Sequence, residues 1–177
     1  YGMTEFSGFY NNGLDHAWSL KMQSLENQVD ETLGQFLYKE GFRVTSSLEF
    51  NSFDNAVVTF RNESCRIRII LDRGFISLAL GPLWDPDGWN KGPWYAIEYL
   101  VAFLTGEEVS DYQKHEFGKI VQQLRELEHS LRDHLNVICK FFTSGGFEYT
   151  REELEAFILE GQDSDLGITQ VDSSSTS

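Results

Sequence analysis

Glu126 and His129 stand at the Glu-x-x-His spacing of carboxylate-bridged di-iron sites, with Asp133 one turn further on. Such a site needs a second copy of the motif and two more inward carboxylates. The chain supplies neither. His129 and Asp133 fall on the flank away from Leu124, Leu127 and Leu131, which predicts a surface pair four residues apart on a helix. Asp85-Pro86-Asp87-Gly88 resembles the start of a calcium loop, but Trp89 and Ala96 occupy its fifth and twelfth positions, where an oxygen ligand and a bidentate Glu are needed. His16, His115 and His134 are scattered. The sequence holds no Gly-x-Ser-x-Gly elbow, Gly-x-Gly-x-x-Gly turn, phosphate loop or His-Glu-x-x-His helix. Enzymes built on those devices are not expected, and no catalytic, cofactor-binding or metal-ligating residue is assigned. A site assembled from dispersed residues such as Arg66, Arg68, Asp85 and Asp87 would need a deep pocket joining them.

Two other groups of residues have chemistry to offer. Five arginines and no lysine lie between Arg43 and Leu80, the one locally basic stretch of an acidic chain. Arg61, Arg66 and Arg68 share one strand face with Thr45, Ser47, Glu49 and Thr59. That face is either solvated, with its arginines paired to Glu49 and Glu63 and their stems laid over Ile70 or Phe75, or a recognition face for an anionic group or acidic partner. The second group is the loop 81–94, which holds all three prolines and three of the four tryptophans, Trp84, Trp89 and Trp94. Asp-Pro-Asp-Gly is a turn, since Pro86 presets its own backbone angle and Gly88 accepts what other residues resist. The loop reads as a hydrophobic plug between a strand and a buried helix, or as a stacking platform for a sugar or peptide. With Trp89 exposed at the tip, it would be a partner anchor. The candidate contacts are Arg61, Arg66, Arg68, Trp84, Asp87 and Trp89.

These residues are carried by a predicted meander of four antiparallel strands over about 43–80. Val44, Ser46, Leu48 and Phe50 alternate with Arg43, Thr45, Ser47 and Glu49, the period of a half-buried strand. A two-residue loop at Asn62-Glu63 predicts Phe60 opposite Cys65, Val58 opposite Ile67 and Ala56 opposite Ile69. A second at Arg73-Gly74 predicts Leu71 opposite Ile76, Ile69 opposite Leu78 and Ile67 opposite Leu80. A five-residue loop, Asn51 to Asn55, sets Phe50 against Ala56 and Leu48 against Val58. One face then stays apolar throughout.

Helices must cover that face. Leu14, Trp18, Met22, Leu25, Val29, Leu33 and Phe36 recur at spacings of three and four, predicting one long amphipathic helix to about Glu40, ended by Gly41. Pro93 suits the first turn of a buried helix, Pro93 to Leu104. Asp111 to about Thr143 is the longest predicted helix, apolar from Phe117 to Phe142. Thr150 with Glu153 forms a capping box for a short helix, Arg151 to Glu160. The expected fold is α+β, with the meander packed on a long N-terminal and a long C-terminal helix.

The chain of 177 residues suits a single α+β domain over 1–160, followed by an acidic, Ser-rich tail, 161–177, expected to be disordered. Its net charge of −14 argues against non-specific nucleic-acid binding, which depends on cations meeting phosphates. Eight acidic residues and one basic one follow Ser144, so half of that charge sits in the last fifth of the chain. Cys65 and Cys139 lack metal-ligand spacing and read as buried reduced thiols. No signal sequence, membrane span or lipidation motif is apparent. A soluble cytoplasmic protein with no cofactor is expected.

A leading helix closing on Gly41-Phe42, the strand segments Val57-Val58-Thr59-Phe60, Arg66-Ile67-Arg68-Ile69 and Leu71-Asp72-Arg73-Gly74, and a Leu80-Gly81-Pro82 exit resemble small bacterial α+β proteins of the toxin-immunity type. The resemblance spans roughly 14–105 and rests on hydrophobic pattern, so it carries over no functional residue. It implies a non-enzymatic interaction domain that neutralises a cognate toxin. An acidic inhibitor suits a basic, nucleic-acid-cleaving toxin, because opposite charge speeds association. The alternative is small-molecule or carbohydrate binding through the Trp-rich loop 81–94. The apolar stripe of the helix 111–143 also raises a homodimer built on that helix.

Overall fold

The computed structural model describes residues 24–50, 55–83, 92–109 and 118–165. The fold is α+β. Five antiparallel strands, β1 (Arg43–Phe50), β2 (Asn55–Arg61), β3 (Cys65–Asp72), β4 (Phe75–Pro82) and β5 (Tyr95–Ala96), lie in chain order across one sheet. One face carries Ala56, Val58, Phe60, Ile67, Ile69, Ile76, Leu78 and Leu80, all buried. Among the described residues, α1 (25–39), α2 (Ile97–Thr105) and α3 (Ile120–Thr143) pack against it, and α4 (Gly146–Asp165) packs on α2 and α3.

The sheet has five strands rather than four because the chain returning from the Trp-rich loop stays extended before it coils. Ala79 pairs with Ala96 and Leu80 with Tyr95, so Tyr95 extends an apolar row begun by Phe60, Ile67 and Leu80. The expected helix start at Pro93 therefore moves to Ile97. All-round apolarity describes a buried strand as well as a buried helical turn. Gly81 permits the return, since a Cβ there would sit 2.5 Å from the Pro93 carbonyl oxygen.

The β3–β4 register is the expected one, turning on Arg73 and Gly74 with φ of +48° and +84°. The other two connections differ. Arg61 pairs with Arg66 and the Asn62 amide donates to the Cys65 carbonyl at 3.2 Å, so the β2–β3 turn centres on Glu63 and Ser64. Asn62 explains the displaced turn: its Oδ1 accepts from the Ser64 and Cys65 amides at 2.8 and 2.9 Å. Phe60 consequently faces Ile67, Val58 faces Ile69 and Ala56 faces Leu71. A slip of two residues keeps every side chain on its face, so hydrophobic pattern could not reveal it. In β1 a bulge at Thr45 separates the pairs Val44–Phe60 and Ser46–Thr59. The extra residue flips the remainder of the strand, placing Leu48 opposite Val57 and Phe50 opposite Asn55, on the outer face.

α1 begins at Leu25 under a Ser24 cap, whose hydroxyl accepts from the Asn27 amide, so no single helix runs unbroken from Leu14 to Glu40. Residues 14–23 lie outside the described part. Its middle, Asp30–Gly34, is π-helical. Leu25, Val29, Leu33 and Phe36 face the core as the spacing predicts, and Gly41 at φ +81° ends the turn.

α3 starts at Ile120, after Gly118 and Lys119, rather than at Asp111; residues 110–117 lie outside the described part. Among the described residues most of its stripe is covered within the chain, while Val121 is 43% exposed. Leu124, Leu127, Leu131, Leu135 and Ile138 are buried, and Phe141 and Phe142 pack on Phe147 of α4. Phe103 of α2 closes on Phe141.

α4 also departs from expectation. It starts at Gly146, so Thr150 lies within the helix and caps nothing. Phe147 and Leu154 anchor it. It continues past Glu160 into the segment expected to be disordered, because Gly161 is a packing position and not a stop: a Cβ there would lie 2.8 Å from the Tyr99 ring. Residues 166–177 lie outside the described part.

Candidate functional site

The outer face of the sheet is graded in rows. Arg43, Arg61, Arg66 and Gly81 form its first row, and Ser46, Thr59, Arg68 and Ala79 its second. Leu48, Val57, Ile70 and Ser77 make an aliphatic third row. Phe50 and Phe75, 49% and 46% exposed, stand beyond it in a fourth row, paired with Asn55 and Asp72. The register thus brings Arg61, Arg66 and Arg68 to one end of one face, as the sequence suggests.

Their environments are unequal. Arg61 is exposed, whereas Arg66 is only 6% exposed. The Arg66 Nε donates to the Pro82 carbonyl at 2.7 Å, and its guanidinium stands 4.6 Å from the centre of the Trp94 ring. Arg68 stands 3.9 Å from the same ring. A Cβ at Gly92 would collide with the Arg66 Nη2. The solvated-face reading fails for Arg66, whose stem and head are packed against Trp94 and the β4 exit. Cation–π stacking of this kind holds the returning chain onto the sheet. Trp94 is thus half-buried against two arginines of the outer face. Trp84, Asp87 and Trp89 lie outside the described residues.

A second surface is formed by α4. Its inward side carries Phe147, Leu154, Phe157 and Ile158. The opposite side presents Tyr149, Glu152, Glu153, Ala156, Leu159 and Glu160, spaced at three and four residues. Tyr149 is 87% and Leu159 62% exposed. Ten residues of helix put these two apolar side chains about 15 Å apart, with carboxylates between them. Glu148, Glu152, Glu153 and Glu160 are exposed along it, so this is an anionic surface. The expected helix start at Arg151 leaves Tyr149 outside and so hides the stripe. A helical projection begun at Gly146 would have separated the two sides.

α4 is fastened to the sheet by a polar contact. The Tyr95 hydroxyl donates to Glu155 Oε1 at 3.2 Å, and Arg151 Nε donates to the same oxygen at 2.7 Å. Burial, and then the Glu155 charge, push the Tyr95 phenol from 10.0 up to about 12. An unfolded chain releases that proton near 10, whereas the folded chain keeps it to about 12. The folded state binds more protons across this window, so the contribution is complete below pH 10 and is lost as pH rises towards 12. Urea midpoints measured from pH 9 to 12 should fall with pH, and Tyr95→Phe should flatten the fall. An equal slope in both proteins would place the titration elsewhere.

His129 and Asp133 make the expected surface pair, 3.7 Å apart and both exposed. Among the described residues no group of three His, Cys, Asp or Glu side chains could hold a metal ion. No helix among them is long and apolar enough to cross a membrane.

Sheet and helices together define an α+β protein. No family model matches the chain, and no curated protein or solved structure matches it either.

Proposed function

We propose that this chain is a non-enzymatic protein-interaction domain that docks the outward side of α4 on a basic protein partner. The observation that carries the reading is the exposed stripe itself, in which Tyr149 and Leu159 flank Glu152 and Glu153. Exposed aromatic and aliphatic anchors supply the central contacts of interfaces, and surrounding charge selects the partner. The net charge of −14 adds long-range attraction for a cationic protein. A toxin that cleaves nucleic acid is one such partner, and the immunity-type resemblance of the strand segments favours that form. A cytoplasmic setting goes with this reading.

The test is a tagged pull-down from native extract at low and high salt, with the captured protein identified by mass spectrometry and then titrated in pure form. The expected result is a stoichiometric basic partner released by salt. Glu152→Lys with Glu153→Lys should weaken it at least about tenfold, because like charges across an interface repel. Arg61→Glu, on the sheet, should leave it unchanged. A partner indifferent to the helix variants, or lost with Arg61→Glu, would move the interface to the sheet. The alternative, small-molecule or carbohydrate binding through the loop 81–94, now rests on Trp84 and Trp89, since Trp94 is engaged by two arginines. Tryptophan quenching by a sugar panel, together with failure to capture a protein, would favour it.

A further inference from the structure

Cys65 and Cys139 are 74 positions apart in sequence, yet their sulfurs are 3.1 Å apart where the start of β3 meets the second half of α3. Neither is in a disulfide. We propose that this pair is a redox modification site, at which a peroxide oxidises the two thiols to a disulfide that locks the sheet to α3.

The geometry favours that outcome over independent oxidation of either thiol. The sulfurs need to approach by only about 1 Å to reach bonding distance. Cys65 cannot retreat: the side chain of Asn62 holds its amide at 2.9 Å, and donates in turn to the Glu40 carbonyl at 3.1 Å beside the end of α1. Cys65 is fully buried, whereas Cys139 is partly exposed, so a small oxidant reaches Cys139 first. The electrostatics agree with that order. Hydrogen bonds from the Cys65 thiol, and less so from Asn62, hold Cys139 below its ordinary value against the opposing effect of burial. The same contact, together with burial, pushes the Cys65 thiol up. Cys139 is the nucleophile and Cys65 the resolving thiol.

The steps balance. The Cys139 thiolate attacks one oxygen of hydrogen peroxide; the S–O bond forms, the O–O bond breaks, and the departing hydroxide takes up a proton to become water. Cys139 is then a sulfenic acid. The sulfur of Cys65 attacks Cys139 Sγ, the S–S bond forms, the S–O bond breaks, and the leaving hydroxide carries off the Cys65 proton as a second water. Two thiols are oxidised and one peroxide is reduced. The chain has two cysteines in all, so within one molecule each has a single possible partner.

The experiment treats the full reduced chain with hydrogen peroxide and reads intact mass, the non-reducing peptide map and the thermal midpoint. The expected product has lost two hydrogens and both free thiols, and yields one cross-linked peptide pair joining Cys65 to Cys139. Its midpoint should rise by about 10 °C, the effect of closing a loop of this length in a domain of this size. A dithiol reductant should reverse all three changes. In Cys65→Ser the sulfenic acid should persist and be trapped at Cys139 by a dimedone probe, whereas the natural chain should trap little. Thiols that stay reduced in the natural chain, Cys139 driven to sulfinic acid without a cross-link, or a cross-link with no rise in midpoint would each overturn the proposal. The mass readout needs no variant, so a misfolded Cys65→Ser cannot hide the answer.

Discussion

Truncating Ile69 to alanine is expected to cost the fold roughly 2 to 5 kcal/mol, the range for deleting a branched side chain from a packed core. Ile69 lies midway along β3, the middle strand of the sheet, with Val58 opposite it on one neighbour and Leu78 on the other. All three are at most 1% exposed, so atoms around the deleted methyl groups have nowhere to collapse from except the helices above. The next residue provides the control. Ile70 points to the outer face beside Val57 and Ser77 and is only half-buried, and its truncation should cost under about half as much. Urea denaturation of the two variants at equal slope would check both. Equal losses would mean that the outer face is packed as tightly as the inner one, and a loss under about 1 kcal/mol at Ile69 would place it outside the core.

That test bears on how much of the fold is legible in the residues alone. The choice of face for β2, β3 and β4 is legible because every inward position from Ala56 to Leu80 is apolar, and a period of two is a strong signal. Registers are legible only where the turn has a short, characteristic form, as at Arg73-Gly74. At Asn62 the deciding interaction is a side chain accepting two amides, and it moves the pairing by an even number of residues. Hydrophobic pattern is blind to such a shift. At Thr45 the bulge moves it by one, and the exposed Phe50 is the visible result; a regular strand would have made Phe50 a core residue, as its alternation with Glu49 suggests.

The candidate surfaces divide in the same manner. The clustering of Arg61, Arg66 and Arg68 follows from strand alternation alone. The separate roles of these arginines do not, because the burial of Arg66 depends on Trp94 returning across the β4 exit from a loop whose path no periodicity describes. The stripe on α4 is hidden by a false start: Thr150 and Glu153 have the residue types of a capping box, but a helix that begins right after Ser144-Gly145 has already passed them. Local capping signals lose to an anchored first turn, here the buried Phe147.

Gln123 carries the second large prediction. β5 is two residues long and pairs with Ala79 and Leu80, so among the described residues the lower half of β4 has no strand beside it on that side and meets α3 instead. An unmet amide there would be buried. Gln123, 1% exposed on the first turn of α3, meets it by imitating a strand: its Oε1 accepts from the Ile76 amide at 2.7 Å, and its Nε2 donates to the Gly74 carbonyl at 3.0 Å. The same carbonyl accepts from the Gly118 amide at 3.2 Å, so the β3–β4 turn and the start of α3 are latched together. Gln123→Leu keeps the volume but strands the Ile76 amide without an acceptor, and should cost about 1 to 3 kcal/mol. Gln123→Glu keeps an acceptor for Ile76, and at low pH its protonated carboxyl also offers an O–H to the Gly74 carbonyl, so its loss should be smaller there than that of Gln123→Leu and should grow as pH rises and the buried carboxylate ionises. Hydrogen exchange separates this account from simple loss of packing: in Gln123→Leu the Ile76 amide should lose protection ahead of Leu78 and Leu80. Uniform loss of protection along β4 would mean that Gln123 contributes bulk and not the bond.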